Sequence, residues 1–144
     1  MSKIPPLSEA QIDALAKLLG ECGSGSDITR VLNDRELVDN SGQSTKWRRL
    51  YWVFLDTQRN YKCANRILDF IQAFLAPARF VGRGEIFEIQ RSELNTILAF
   101  SGIEFGADGR FRHREVAKTL SDAERRFRTI QSKFQSRRIH HAGL

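Results

Sequence analysis

Between Lys46 and Asn60 the apolar residues Trp47, Leu50, Tyr51 and Phe54 recur at i, i+3, i+4 and i+7. That is the period of an α-helix with one face against a core. Trp52, Val53 and Leu55 widen the apolar surface beyond one stripe, which makes this helix central. Trp47 and Trp52 are accordingly read as core residues, not base-stacking platforms, and Ser44 or Thr45 is the expected cap.

The rest of the chain supplies partners of the same kind. A first helix is expected from about Glu9 to Glu21, with Ser8 and Gln11 as a Ser-x-x-Gln capping box. Its apolar face is Ile12, Leu15, Leu18 and Leu19, and Gly20 and Gly23 mark its end. Ser24-Gly25-Ser26 reads as a flexible connection to a shorter helix after Ser26, carrying Ile28, Val31 and Leu32. A loop over Asp39–Gln43 leads into the central helix. A fourth helix runs from about Lys62 to Leu75, with Ile67, Leu68, Ile71, Phe74 and Leu75 inward. Pro77 stops it, because a residue before proline is pushed out of the α region.

A fifth helix is expected from about Glu85 to Phe100, with Phe87, Leu94, Ile97 and Leu98 in the core and Gly102 as the stop. Ile103-Glu104-Phe105 and Arg110-Phe111-Arg112 alternate around Gly106-Ala107-Asp108-Gly109, the pattern of a short hairpin. Ser121-x-x-Glu124 is a second capping box, opening a last helix to about Arg138 with a narrow stripe of Phe127, Ile130 and Phe134. The fold class is therefore mainly α: six helices in one compact bundle-like domain, with a single short β-hairpin near residues 103–113. The helical core and hairpin span 7–120, a peripheral basic amphipathic helix spans 121–139, and 1–6 and 140–144 are expected to be flexible. Leu50, Phe54, Ile71, Phe74 and Leu98, mid-stripe on the most apolar helices, are the expected centre of the core.

A chain of 144 residues fits one domain, which would bury roughly 68% of its unfolded surface. No apolar run approaches the ~20 residues that span a bilayer, and Met1–Pro6 does not resemble a signal peptide. A cytoplasmic protein is the expectation, without membrane contact. Cys22 and Cys63 show no Cys-x-x-Cys spacing and are read as reduced structural thiols.

Charge is unevenly distributed. From Arg110 to Leu144 ten Lys/Arg stand against three Asp/Glu, while the preceding residues carry thirteen against fourteen. Arg110, Arg112 and Arg114 on the hairpin, with Arg125, Arg126, Arg128, Lys133, Arg137 and Arg138 on the last helix, form a candidate surface for a partner or for nucleic acid. Cations in the last turn of a helix complement its dipole, but Arg125 and Arg126 lie in the first turn, where the dipole opposes them. Lys46, Arg48 and Arg49 oppose the dipole of the central helix in the same way. They are a candidate anion site, or else they pair internally with Asp39 or a carboxylate on a neighbouring helix; the internal pair is preferred.

Enzyme signatures are missing: there is no G-x-x-x-x-G-K-[ST], no G-x-S-x-G and no H-E-x-x-H. His113, His140 and His141 give no metal-ligand spacing with either cysteine. An acid–base pairing such as Asp108 with His113 competes with the turn that Asp108-Gly109 already serves. No catalytic residue, cofactor or metal is expected. A winged helix with the fifth helix in the groove is disfavoured, since Glu85, Glu88 and Glu93 outnumber Arg91 there.

Four stretches carry a resemblance: Thr45–Tyr51; Asn65–Ile71 leading to Pro77–Gly82; Leu94–Gly102; and Lys118–Glu124. Together they resemble the N-terminal half of a bacterial family labelled Ymh-like or abortive-infection-like, whose longer members continue into a helical HEPN-type domain. The resemblance covers most of Leu7 to Ile139, on packing and turn signatures that carry no chemistry. It implies a module attached to an RNA-cleaving effector in phage defence. The Arg-x4–6-His mark of HEPN ribonucleases has no counterpart here; only three residues separate Arg137 from His141. The expectation is thus a truncated or stand-alone version without the catalytic half. The functional expectation is a non-enzymatic helical interaction or adaptor module, the sensor or tether of an abortive-infection system. It would act on a protein partner or a linked effector domain, in an oligomeric state the sequence does not fix. The alternative is a nucleic-acid-binding module using the basic hairpin and last helix.

Overall fold

The computed structural model of the chain describes residues 2–127, which are mainly helical. The single domain expected from length divides into two compact units, with the boundary between Ala76 and Pro77. Pro77 is where the sequence punctuates: it ends the fourth helix and opens a 3-10 turn over Pro77–Phe80.

The first unit contains α1 (Glu9–Gly20), α2 (Gly25–Asp34), α3 (Lys46–Tyr61) and α4 (Asn65–Phe74). α3 packs on α1 and α4, and α2 on α4. Both halves of the Ser8/Gln11 capping box form as expected. α2 begins earlier than expected, because Ser24 caps it and Asp27 reaches back to the Ser24 N–H. Gly23 lets that turn come in close: a Cβ there would sit 2.8 Å from Phe74 Cζ. α4 begins later than expected, since Lys62 takes a left-handed conformation (φ 57°) and ends α3. Leu50, Phe54, Ile71 and Phe74 are fully buried. Phe70 joins them, edge-on to Phe54 at 5.4 Å and stacked on Phe74 at 5.1 Å.

The N-terminal segment lies against the helices of this unit. Ile4 and Leu7 are buried, while Pro5 and Pro6 between them are exposed. The Ile4 N–H donates to Asn65 Oδ1 (2.7 Å), and the Ile4 carbonyl accepts from the Ala64 N–H (2.9 Å). Asn65 Nδ2 donates to the Ser2 carbonyl at 3.1 Å. The buried Gln58 side chain takes the Leu7 N–H at 2.9 Å and gives its own N–H to the Leu7 carbonyl at 2.8 Å. Residues 2–6 are therefore held against α3 and α4, because side-chain amides replace the partner strand that an extended segment needs.

The second unit contains α5 (Gly84–Leu98), a 3-10 turn over Ala99–Ser101, β1 (Ile103–Phe105), β2 (Phe111–His113) and helical backbone over 120–127, here called α6. Leu98 is fully buried, as expected. Gly102 makes the turn into β1 with φ 67°, and a Cβ there would lie 2.9 Å from the Arg114 carbonyl. β1 and β2 pair antiparallel with Glu104 opposite Arg112 and Phe105 opposite Phe111. Asn95 on α5 clamps the hairpin: its Oδ1 accepts from the buried Phe105 N–H at 2.6 Å and its Nδ2 donates to the Phe105 carbonyl at 2.9 Å. α6 is capped by Thr119, whose hydroxyl accepts from the Asp122 N–H at 3.1 Å, and not by Ser121. Phe127 is buried, whereas Ile130 and Phe134 lie outside the described residues. No described helix is long and apolar enough to cross a membrane. Both cysteines are free thiols, Cys63 buried and Cys22 donating to the Leu18 carbonyl.

Candidate interaction surface

The hairpin and the start of α6 bring basic residues together, and carboxylates arrive with them. The register sets Glu104 across from Arg112, two residues before Arg114. Arg114 takes Glu104, Nε to Oε2 at 3.0 Å. Arg112 turns to the hairpin tip and grips Asp108 with both terminal guanidinium nitrogens, Nη1 to Oδ1 at 3.0 Å. That hydrogen bond is the main reason the Asp108 carboxyl sits well below the usual carboxylate range and the Arg112 guanidinium above its own. On α6, Asp122 receives Arg126 at 2.9 Å and Arg125 at 3.2 Å, one turn along the helix. Arg126 also donates to the Glu115 carbonyl at 2.7 Å. A cleft of about 380 Å³ opens among Glu104, Arg114, Asp122 and Arg126, with Phe127 beside it.

Charge counted along the chain misses this arrangement, because Glu104 and Asp108 precede the basic stretch and belong to the hairpin that carries it. Arg112, Arg114, Arg125 and Arg126 all pair with carboxylates, the last two sharing Asp122, while Arg110 is exposed. Arg128, Lys133, Arg137 and Arg138 lie outside the described residues.

At the start of α3 the cations work within the fold. Arg49 pairs with Asp39, Nε to Oδ2 at 3.0 Å, and donates to Thr29 Oγ1 at 3.0 Å. Lys46 Nζ donates to the Gly23 carbonyl at 3.1 Å. Arg48 lies over the Trp47 ring at 5.4 Å, and Lys17 over the same ring at 5.0 Å. The internal partner preferred for Arg49 is therefore present, and Lys46 and Arg49 reach the nearby Gly23 and Gly25 carbonyls. The two tryptophans depart from the core expectation. Trp47 is half-buried, and Trp52 is 41% exposed. Position 52 lies about 200° around the helix from Phe54, at roughly 100° per residue, so burial of Phe54 turns Trp52 outward.

Burial alone would raise the Asp39 pKa, but it is outweighed by hydrogen bonds from the Ser41 hydroxyl and N–H and by Arg49, so the net shift is downward from 3.8. A depressed folded-state pKa gives stability that is present above pH 3.8 and lost as pH falls below it. Asp39→Asn is expected to lower the urea midpoint at neutral pH. The gap from wild type should narrow steadily below about pH 4, near the unfolded carboxylate pKa. A gap that stays constant with pH would show that the carboxylate charge contributes nothing.

No family model, no curated protein and no solved structure matches the chain.

Proposed function

We propose that this chain is a non-enzymatic helical interaction module that engages a protein partner or tethers an effector. The observation that carries this reading is the pairing of Arg112, Arg114, Arg125 and Arg126 with Asp108, Glu104 and Asp122. The resident carboxylates lower the positive potential a phosphate would meet at these guanidinium groups, so the counterion-release gain that drives nucleic-acid binding is reduced. A surface of interleaved arginines and acids suits a protein face, where complementary charge fixes register and partner choice. Trp52 and Tyr61, 41% and 47% exposed on α3, are residue types that anchor protein interfaces. The phage-defence setting rests on the resemblance of the four stretches and not on this geometry.

Fluorescence anisotropy against duplex DNA and single-stranded RNA, at low and physiological salt, tests the reading. Binding no tighter than about 10⁻⁴ M at physiological salt is expected. Sub-micromolar binding that weakens with salt and disappears when Arg125, Arg126 and Arg128 are changed to Glu would favour the nucleic-acid module instead.

A further inference from the structure

Residues 2–7 sit on α3 and α4 as a bound peptide would. Pro5 and Pro6 fix φ near −65°, and a residue before proline is driven to extended backbone, so Ile4-Pro5-Pro6 is biased toward polyproline II. That helix repeats every three residues, so Ile4 and Leu7 project to one side. Those are the two that are buried, and the prolines between them face solvent.

The groove reads main chain at both anchors. Gln58 satisfies the N–H and the carbonyl of Leu7, Asn65 takes the Ile4 N–H, and the Ala64 N–H takes the Ile4 carbonyl. Gln58 is 93% buried (7% exposed), and its amide makes both of those bonds to this one residue. Buried against the helices, the Leu7 N–H and carbonyl need partners, and the one Gln58 amide supplies both. Main-chain pairing at two apolar anchors is also how a groove recognises an extended peptide, with pockets for alternate anchors supplying the choice.

We propose that this face of α3 and α4 is a recognition groove for an extended apolar-Pro-Pro-apolar segment of a partner protein, held shut by the chain's own residues 2–7. The inference rests on the interaction-module reading and gives it a ligand chemistry. A tethered occupant competes at an effective concentration on the order of millimolar, so an incoming peptide sees only the open fraction of the groove. A partner would gain access by presenting the same anchors at high local concentration.

The test uses the full chain, ¹⁵N-labelled, and an unlabelled peptide Ser-Lys-Ile-Pro-Pro-Leu-Ser with blocked ends. Titration to millimolar peptide is expected to move the Ile4 and Leu7 amide resonances toward free-segment positions, while a peptide with Ser at both anchors leaves them in place. A full-length Ile4→Asp/Leu7→Asp variant is expected to bind the labelled peptide about tenfold more tightly than wild type, or better, because its groove is open. Adding Gln58→Leu should abolish that gain. Resonances that stay fixed to millimolar peptide overturn the proposal, as does a folded double variant with no gain in affinity. If the double variant does not fold, the wild-type titration decides alone. Self-association that the peptide dissolves would assign the groove to a second copy and overturn the partner assignment. Failure of these arms removes the groove only; the broader reading fails on the nucleic-acid titration.

Discussion

Replacing Phe54 with alanine should remove about 3–5 kcal/mol of stability, a loss comparable with the whole margin of a small domain. Phe54 is fully buried and edge-on to Phe70, which itself stacks on Phe74. These rings come from α3 and α4, so the vacated volume is walled by two helices and collapses poorly. The variant is expected to shift the urea midpoint with little change in slope. A loss below about 1 kcal/mol, far under the range for large-to-small core changes, would mean that α3 is not the axis of its unit.

Asn95→Ala is the second large effect, expected at about 2–4 kcal/mol, from an orphaned buried N–H plus the packing lost with the amide. The substitution leaves the Phe105 N–H without its partner in a fully buried position. The Phe105 carbonyl loses less, because Arg91 Nη1 also donates to it at 3.1 Å. Asn95→Asp is the informative control: it keeps an acceptor for the N–H but turns a second oxygen toward the carbonyl. The two variants should be similarly destabilised in urea melts. A near-neutral aspartate would show that the donor half of the clamp is dispensable.

What the sequence discloses about the fold is whatever a local periodic or turn pattern sets. The Ser8 and Gln11 box, the α3 stripe and the hairpin all fall in that class. The misplaced starts share a different cause. Ser24-Gly25-Ser26 has linker composition, yet Asp27 converts its first serine into a cap. Lys62 has nothing that announces a left-handed residue, a conformation more often taken by glycine or asparagine. The candidate surface was legible in its cations and not in its neutralisation, because Arg114 meets Glu104 across a hairpin ten positions away. The α3 cluster was more legible: Asp39 is a charge in the preceding loop, near enough in sequence to propose as the partner of Arg49. The docked segment 2–7 could have been suspected from two apolar residues flanking Pro-Pro at a three-residue spacing, although Gln58 and Asn65, more than fifty positions on, carry no mark of the role.

Gln58, Asn65 and Asn95 all hold main chain and not side chain. Such a grip is indifferent to which L-residue it holds but cannot hold one that lacks an N–H. Proline is therefore harmless at positions 5 and 6 and should be rejected at 4, 7 and 105, whatever the polarity or size of the residue replaced. At these three positions, whose side chains are themselves buried, saturation mutagenesis would record proline as rejected even among the apolar replacements.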